Sequence, residues 1–210
     1  MAPPTARLLP RALLRRWIAA AVLAAAPASA ADFDVGMNAA RQGDFATAFR
    51  EWKPLADAGH ARAQVNLGEM YETGMHVDFD LVEAARLFRS AAESGLALGQ
   101  LRYAMALQKG EGVAKDKAAA MGWLVMAAER HNPQALYEIG YAYHEGEGVD
   151  ANPAEAMKWF IIADEYGHQE AYHAGTYVAG RMTTEQVTAA SQAAMDWMAK
   201  HPRPEGALVR

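Results

Sequence analysis

The chain has 210 residues, no cysteine and a formal net charge of −5, with 25 acidic and 20 basic side chains. The lack of cysteine excludes disulfides, thiol catalysis and thiolate-bound metals. The acidic balance argues against nucleic acid and anionic lipid as main partners, because both repel an acidic surface.

The first thirty residues have the layout of a secretory signal peptide. An apolar run, Trp17 to Ala26, is followed by an A-x-A cleavage pattern at Ala28 and Ala30. The alternative is a membrane anchor, but about ten apolar residues are half of the roughly twenty that span a bilayer. The arginines that precede the run are Arg7, Arg11, Arg15 and Arg16. Their spacing leaves the Sec and twin-arginine export routes open.

Cleavage after Ala30 would leave 16 basic and 25 acidic residues, a net charge of −9. No second apolar run is long enough to cross a membrane. The sequence therefore predicts a soluble periplasmic or secreted protein that does not insert into a membrane after cleavage.

Internal repetition is the main feature of the remaining sequence. Three segments, which start at His60, Leu96 and Asn132, align without gaps at a period of 36 residues. Small residues recur at positions 63, 99 and 135 and at 68, 104 and 140, and large apolar residues at 87, 123 and 159. Glycines at 74, 110 and 146 are expected to end helices, and Asp or Asn at 80, 116 and 152 to begin the next ones.

Each repeat is therefore predicted to be a helix, a glycine turn and a second helix. The expected pairs are 61–73 with 81–94, 97–109 with 117–130, and 133–145 with 153–166. The alternative, an alanine-rich bundle that matches by chance, is disfavoured because the same residue types recur at several positions at one fixed period. Residues 33–59 read as a related pair with a shorter turn, and residues 168–201 lack the glycine turn but contain a Thr183–Gln186 capping box.

These segments resemble the Sel1-like repeat family, a relative of the tetratricopeptide repeat. The resemblance lies in LGEMYETG, in the GEGV turns at 110–113 and 146–149, and in the helices KAAAMGWLVMAAERH and AEAMKWFIIADEYGH. It implies an all-α, right-handed α-solenoid of about five stacked antiparallel helix pairs. The predicted pairs are 33–59, 60–95, 96–131, 132–167 and 168–201, followed by a frayed tail at 202–210. One turn departs from the pattern, because His76 stands where the other repeats have glycine.

The stretch YHEGEGV, residues 143–149, contains elements of a zinc motif and of a phosphate loop. Neither fits: the zinc motif needs a second histidine where Gly148 stands, and these glycines follow a helix instead of preceding one. His144 aligns with Gln108 and Glu72, whereas both glycines also occur in the preceding repeat, at 110 and 112. The sequence therefore predicts a turn, with no catalytic residue, metal or cofactor. His60 and His168, which share one repeat position, are expected to make structural hydrogen bonds.

In tetratricopeptide-like stacks the first helices line the concave face. Exposed tyrosine and methionine are typical of protein interfaces. It remains open whether Tyr137 and Leu101 instead pack against the adjacent helix. The candidate partner-binding residues on this face are Arg62, Glu69, Leu98, Leu101, Met105, Gln134, Tyr137, Tyr141, His144, His173 and Tyr177.

The predicted function is a monomeric scaffold or adaptor, with a regulatory role left open. It would bind a segment of another periplasmic or membrane-anchored protein in its concave groove. Two alternative functions stand beside it. A hydrolase or small-ligand-binding protein of the Sel1-like class is disfavoured by the lack of cysteine and of an S-x-x-K pair. A self-assembling structural oligomer is the other.

Overall fold

The structure, a computed structural model, describes residues 31–203. The predicted signal peptide, residues 1–30, and most of the predicted tail, residues 204–210, lie outside the described residues. The described part is all-helical, and the predicted helix bounds of the three central repeats agree with it to within two residues. Its helices are α1 (Phe33–Arg41), α2 (Phe45–Asp57), α3 (Ala61–Thr73), α4 (Leu81–Glu93), α5 (Ala97–Lys109), α6 (Lys117–Ala128), α7 (Pro133–Glu145), α8 (Pro153–Glu165), α9 (Ala171–Ala179) and α10 (Thr184–Lys200).

Packing follows the order of the chain. From α1 to α7, each helix packs mainly against the helices before and after it, and α3 also contacts the next first helix, α5. Neighbouring repeats bury one continuous apolar core that includes Phe88, Leu124, Ile139 and Ile162. Because no single pair encloses its own apolar side, the pairs stabilise each other by stacking.

The small residues of the repeat allow the two helices of a pair to approach closely. Gly140 on α7 faces Phe160 on α8, and a Cβ atom added to Gly140 would lie 2.7 Å from Phe160 Cδ1. The same glycine–phenylalanine arrangement occurs at positions 68 and 88. The middle repeat has Ala104 and Leu124 at these positions, and both are fully buried. A smaller residue on the first helix thus accompanies a larger one on the second.

The GEGV segments are turns, as predicted. The second glycine of each, Gly112 and Gly148, has positive φ (71° and 77°). Each lies directly against the preceding repeat, where a Cβ atom would collide with the carbonyl oxygen of Leu81 or Lys117. These glycines are therefore required both by the backbone conformation and by contact between repeats.

His76 and His131 occupy the left-handed conformation at positions where other repeats have glycine. His76 has φ 67° and is exposed, with its ring 5.8 Å from that of Phe49. His131 has φ 61°, but its ring stacks on Tyr166 at 5.1 Å, and its Nε2 lies 3.1 Å from the carbonyl oxygen of His201. A side chain in the left-handed region is strained, so His76 costs conformational energy at this position.

We expect His76→Gly to stabilise the protein by about 1 kcal/mol, because glycine removes the left-handed strain while only one exposed ring contact is lost. Thermal unfolding followed by circular dichroism would detect this as a rise in Tm of about 2–4 °C.

His131→Gly is the matched control, since it relieves the same strain but removes the contacts with Tyr166 and His201. We expect this variant to melt below the wild type. If both variants shift Tm upwards by the same amount, the packing of His131 contributes nothing to stability.

The last two helices depart from the regular pattern. Thr183 and Gln186 form the predicted capping box at the start of α10. However, α9 and α10 both pack on α8 instead of on each other, because the glycine turn that would reverse the chain is missing. Trp197 of α10 contacts the rings of Trp159 (5.4 Å) and Tyr166 (6.4 Å). Helix α10 therefore covers the end of the stack.

The beginning of the predicted tail is attached to this end. The Arg203 guanidinium lies 4.0 Å from the ring centre of Tyr166 and donates to the carbonyl oxygen of Glu165. A positively charged group at the C-terminal end of α8 also suits the helix dipole.

Candidate interaction surface

The eleven candidate residues all lie on the first helices of successive pairs. We call their solvent-facing side on α3, α5, α7 and α9 the first-helix face. The residues of this face that are exposed are Arg62, Leu98, Tyr141, His173 and Tyr177. Those that are half-buried are Glu69, Met105, Gln134, Tyr137 and His144.

Leu101 requires a correction. Its side chain is only 5% exposed and belongs to the core, because the face of α5 on which it lies packs against its neighbours. Tyr137 is half-buried and lies against Phe160, with ring centres 5.4 Å apart. Packing against the adjacent helix is therefore the main role of Leu101 and part of the role of Tyr137.

Side-chain contacts join the first-helix face from one repeat to the next. Glu69 of α3 forms an ion pair with Arg102 of α5. Between α7 and α9, the ring of His144 meets that of Tyr177 edge-on at 5.6 Å. The helices thus present one continuous surface, on which Tyr141 (42% exposed) and Tyr177 (56% exposed) are accessible aromatic residues.

At the corner between α7 and α9, a network of hydrogen bonds lies beside a stacked pair of aromatic rings. His168 stacks on Tyr137 with ring centres 4.1 Å apart and planes 9° from parallel. Its Nε2 lies 2.9 Å from Gln134 Oε1, a hydrogen bond in the tautomer that donates from Nε2. The Gln134 amide in turn donates to Glu138 at 2.8 Å. The structural hydrogen bond predicted for His168 is confirmed, and His60 likewise accepts one from the backbone N–H of Ala63.

The pKa values of two groups in this network, His168 and Tyr137, are shifted. Burial lowers the pKa of His168, and the nearby carboxylates of Glu170 and Glu138 only partly oppose this shift. Burial also raises the pKa of Tyr137, and the same two carboxylates add to the rise. Burial therefore favours the neutral form of His168, which stacks on Tyr137.

A depression of about 680 Å³ opens beside this network, between the N-terminal ends of α5 and α7 and the segment before α9. Leu101 and Pro133 give it an apolar floor, and Gln134, His168 and Glu170 supply polar groups. Leu98, at 40% exposure, lies on its border. Its size is in the range of pockets that receive a small molecule or a few side chains.

A second, smaller depression of about 270 Å³ lies toward the C-terminal ends of α5 and α7. It is lined by Gln108 and Tyr141 together with the charged residues Lys109, Lys115, Lys117, Glu138 and Glu147. Lys117 and Glu147 pair there at 2.8 Å. The cation is thus neutralised by the chain itself.

Some residues of this surface were not predicted. Arg102 and Glu138 add charged groups to it. Arg181, just after α9, stacks on Tyr177 with 3.9 Å between the guanidinium carbon and the ring centre. The counterpart of Glu69 in the next repeat is residue 105, and Arg102 lies one helical turn before it. The repeat period could therefore have indicated that Arg102 is near Glu69 on the adjacent first helix.

The surface has no grouping suited to metal chemistry within residues 31–203, where no three His, Cys, Asp or Glu side chains converge. His144 approaches only Glu145, at 3.6 Å, besides Tyr177. In the same part of the chain, no helix combines the length and apolarity needed to span a bilayer. What the surface offers is exposed aromatic and apolar side chains next to fixed charges.

Comparison with known proteins agrees with the architecture. The sequence model of the Sel1 repeat matches residues 61–96, 97–132 and 133–163. The structure is similar to that of a Sel1 repeat protein from Oxalobacter formigenes, with a TM-score of 0.67, 24% identity, and coverage of 80% of this chain and 70% of that one.

A second similar structure is that of a protective antigen from uropathogenic Escherichia coli strains, which displays an SLR fold. Its TM-score is 0.56 and its identity 20%, over 84% of this chain and 49% of the antigen. At these identities the likeness concerns the fold alone. No curated protein matches the sequence.

Proposed function

Because the chain belongs to the Sel1 repeat family, we propose that it is a scaffold that binds a segment of another protein along the first-helix face. The single observation that carries this proposal is the exposure of Tyr141 and Tyr177 on adjacent first helices, where Tyr141 also lines the smaller depression. Large exposed aromatic side chains beside a concavity are the features that anchor a partner.

The proposed contacts are the accessible candidates of α5, α7 and α9, namely Leu98, Met105, Gln134, Tyr137, Tyr141, His144, His173 and Tyr177. Arg62 and Glu69 extend the same surface toward the N-terminus, where Glu69 is already paired with Arg102. The partner therefore contacts the C-terminal half of the face most strongly.

We further propose that the protein acts outside the cytoplasm, as a monomer that binds a periplasmic or membrane-anchored protein. The support for this location is the arginine-rich, apolar and A-x-A pattern of residues 1–30. An enzymatic role has no support from the described side chains, and the family is generally non-catalytic.

The experiment is site-specific photo-crosslinking in the native host, with the chain expressed from its own N-terminus. We expect a benzoyl-phenylalanine at position 141 or 177 to give a discrete adduct. The same group at Met195, which is exposed on α10, should give none. The intact mass of the recovered protein also shows whether cleavage follows Ala30.

Charge substitution then tests the anchors. We expect Tyr141→Glu with Tyr177→Glu to weaken capture of the identified partner by about tenfold or more, because two aromatic anchors are lost. Tm should stay unchanged, since both rings are exposed. The control, Met195→Glu, should leave capture intact. Full capture by the double variant would show that the partner binds elsewhere.

A further inference from the structure

We infer that the C-terminal tail, residues 204–210, binds in a cleft of its own chain between α9 and α10, where Ala207, Leu208 and Val209 are the inserted side chains. The apolar lining of the cleft, the position of Arg203 and the composition of the tail support this placement. It is independent of the partner proposed above.

The cleft forms because α9 and α10 both pack on α8 and make few contacts with each other. It has a volume of about 370 Å³, and its floor is formed by Met157, Phe160 and Ile161 of α8. Met157 and Ile161 are only half-buried, so part of their apolar surface is open to solvent. The volume is near the lower end for ligand pockets, and it therefore has room for a few side chains.

The walls of the cleft favour an apolar occupant. Thr176 of α9 donates its hydroxyl group to the carbonyl oxygen of Tyr172 at 2.8 Å, and Ser191 of α10 donates to that of Val187 at 2.9 Å. Both small hydroxyl side chains are thus already used within their own helices. Gly175, which is buried, adds no side chain. Apolar side chains can enter such a cleft without displacing a polar contact.

Arg203 brings the chain to one end of this cleft. Its guanidinium donates to the carbonyl oxygen of Glu165 and lies 4.0 Å from the ring centre of Tyr166. Glu165 and Asp164 line the cleft at the C-terminal end of α8. The last described residue is therefore anchored to a residue that borders the cleft, and the tail starts there.

The tail is long enough to lie along the cleft. The six residues from Arg203 to Val209 span up to about 20 Å when extended, whereas residues 157–165 of α8 rise about 12 Å. Pro204 prevents α10 from continuing, and Gly206 allows the chain to turn toward α8. Residues 207–209 can therefore reach the apolar floor.

The composition of the tail matches the cleft. Ala207, Leu208 and Val209 form a short apolar run behind a polar spacer, and the charges of Glu205 and Arg210 cancel. The tail thus brings no net side-chain charge to the carboxylates at the end of the cleft. Burial of leucine and valine is favourable, and the covalent link gives the tail a high effective concentration at the site.

Helix α9 gains most from such an occupant. It has nine residues, fewer than a helix needs to be stable alone. Glu170, at its start, makes no capping hydrogen bond through its side chain. Its stability therefore depends on packing. A tail held between α9 and α10 supports α9 on the side that α8 leaves open, and with it Tyr177 of the first-helix face.

The first test is Leu208→Asp in the purified chain, without a C-terminal tag. We expect Tm to fall by about 2–4 °C and amide hydrogen exchange within α9 to become about fivefold faster, because an aspartate is not buried in an apolar cleft. Arg210→Gln is the matched control, since it changes the net charge by the same amount, and it should alter neither quantity. No change in either variant, or equal changes in both, would overturn the inference.

The second test locates the tail directly, since the chain has no cysteine of its own. We expect Val209→Cys with Ser191→Cys to form an intramolecular disulfide at least about tenfold faster than Val209→Cys with Gln192→Cys. Ser191 lines the cleft, whereas Gln192 follows it on α10 and is exposed. Equal rates would mean that the tail is free. Disulfide-linked dimers of the first variant would assign the cleft to a second copy, and either result would overturn the inference.

Discussion

Replacing Gly112 by alanine is expected to lower the free energy of unfolding by about 3 kcal/mol, from backbone strain and overpacking together. Gly112 has φ 71°, where a side chain is strained, and a Cβ atom would collide with the carbonyl oxygen of Leu81 in the preceding repeat. Neither the turn nor the N-terminus of α4 can relieve this collision by a rotamer change, because both contacting groups are backbone. Gly148→Ala should behave in the same way against Lys117.

Urea unfolding followed by circular dichroism measures this effect, and two other glycines serve as controls. Gly43 also has positive φ (80°), but no atom lies within 4 Å of its added Cβ. Gly43→Ala should therefore cost only the strain, about 1 kcal/mol. Gly122, inside α6, also has free space, and Gly122→Ala should stabilise by about 0.5–1 kcal/mol. Equal losses for Gly112→Ala and Gly43→Ala would mean that the contact between repeats is absent.

The second large effect concerns the helix pair under the candidate surface. Gly140→Ala should cost about 2 kcal/mol, because the added Cβ would lie 2.7 Å from Phe160 Cδ1 in a closely packed core. Adding Phe160→Leu should recover most of this loss, since the middle repeat combines Ala104 with Leu124 at the same positions. The double-mutant cycle should therefore give a coupling energy of about 1–2 kcal/mol.

Phe88 provides the matched control for this cycle. It occupies the same repeat position as Phe160 but packs on Gly68, two repeats away. Gly140→Ala with Phe88→Leu should therefore show additive losses. A cycle with Phe160→Leu that is also additive would show that the helices separate to admit the methyl group, and that the spacing of the pair is not set by residue 140.

Much of the fold could be predicted because the residues that end and begin the helices recur in several repeats. Glycines that recur at 36-residue intervals indicated the turns, and asparagine and aspartate after them indicated the helix starts. The structure confirms these turns and the capping box at Thr183. His76 was recognised as a departure because its counterparts, Gly112 and Gly148, are glycines.

The end of the stack could not be predicted with the same accuracy, since it lies outside the periodic pattern. Nothing in the spacing of Val187, Ala190, Ala194 and Trp197 shows whether their side of α10 faces α9 or α8. The structure places Trp197 against Trp159 and Tyr166. His131 is a similar case: its contact with His201 depends on the position of α10, which begins 53 residues further along the chain.

The sequence predicts which helices form the candidate surface, but not which of their side chains are exposed. Register identifies which helices face a partner, and it placed Tyr141 and Tyr177 on accessible positions. It does not give the rotation of each helix closely enough to separate Leu98, which is exposed, from Leu101, which is buried one turn later. Ion pairs between helices, such as that of Glu69 with Arg102, depend on the same rotation.

Both α9 and α10 pack on α8, and this arrangement affects whether molecules could add end to end into a filament. In a stack of identical modules, a further module from another molecule could add to the last one, and addition could continue without closure. Here the side of α8 that such a module would use is already occupied by α10, through Trp197 and the contacts around Tyr166. Head-to-tail polymerisation through that end would first require α10 to detach, at the cost of its own buried rings.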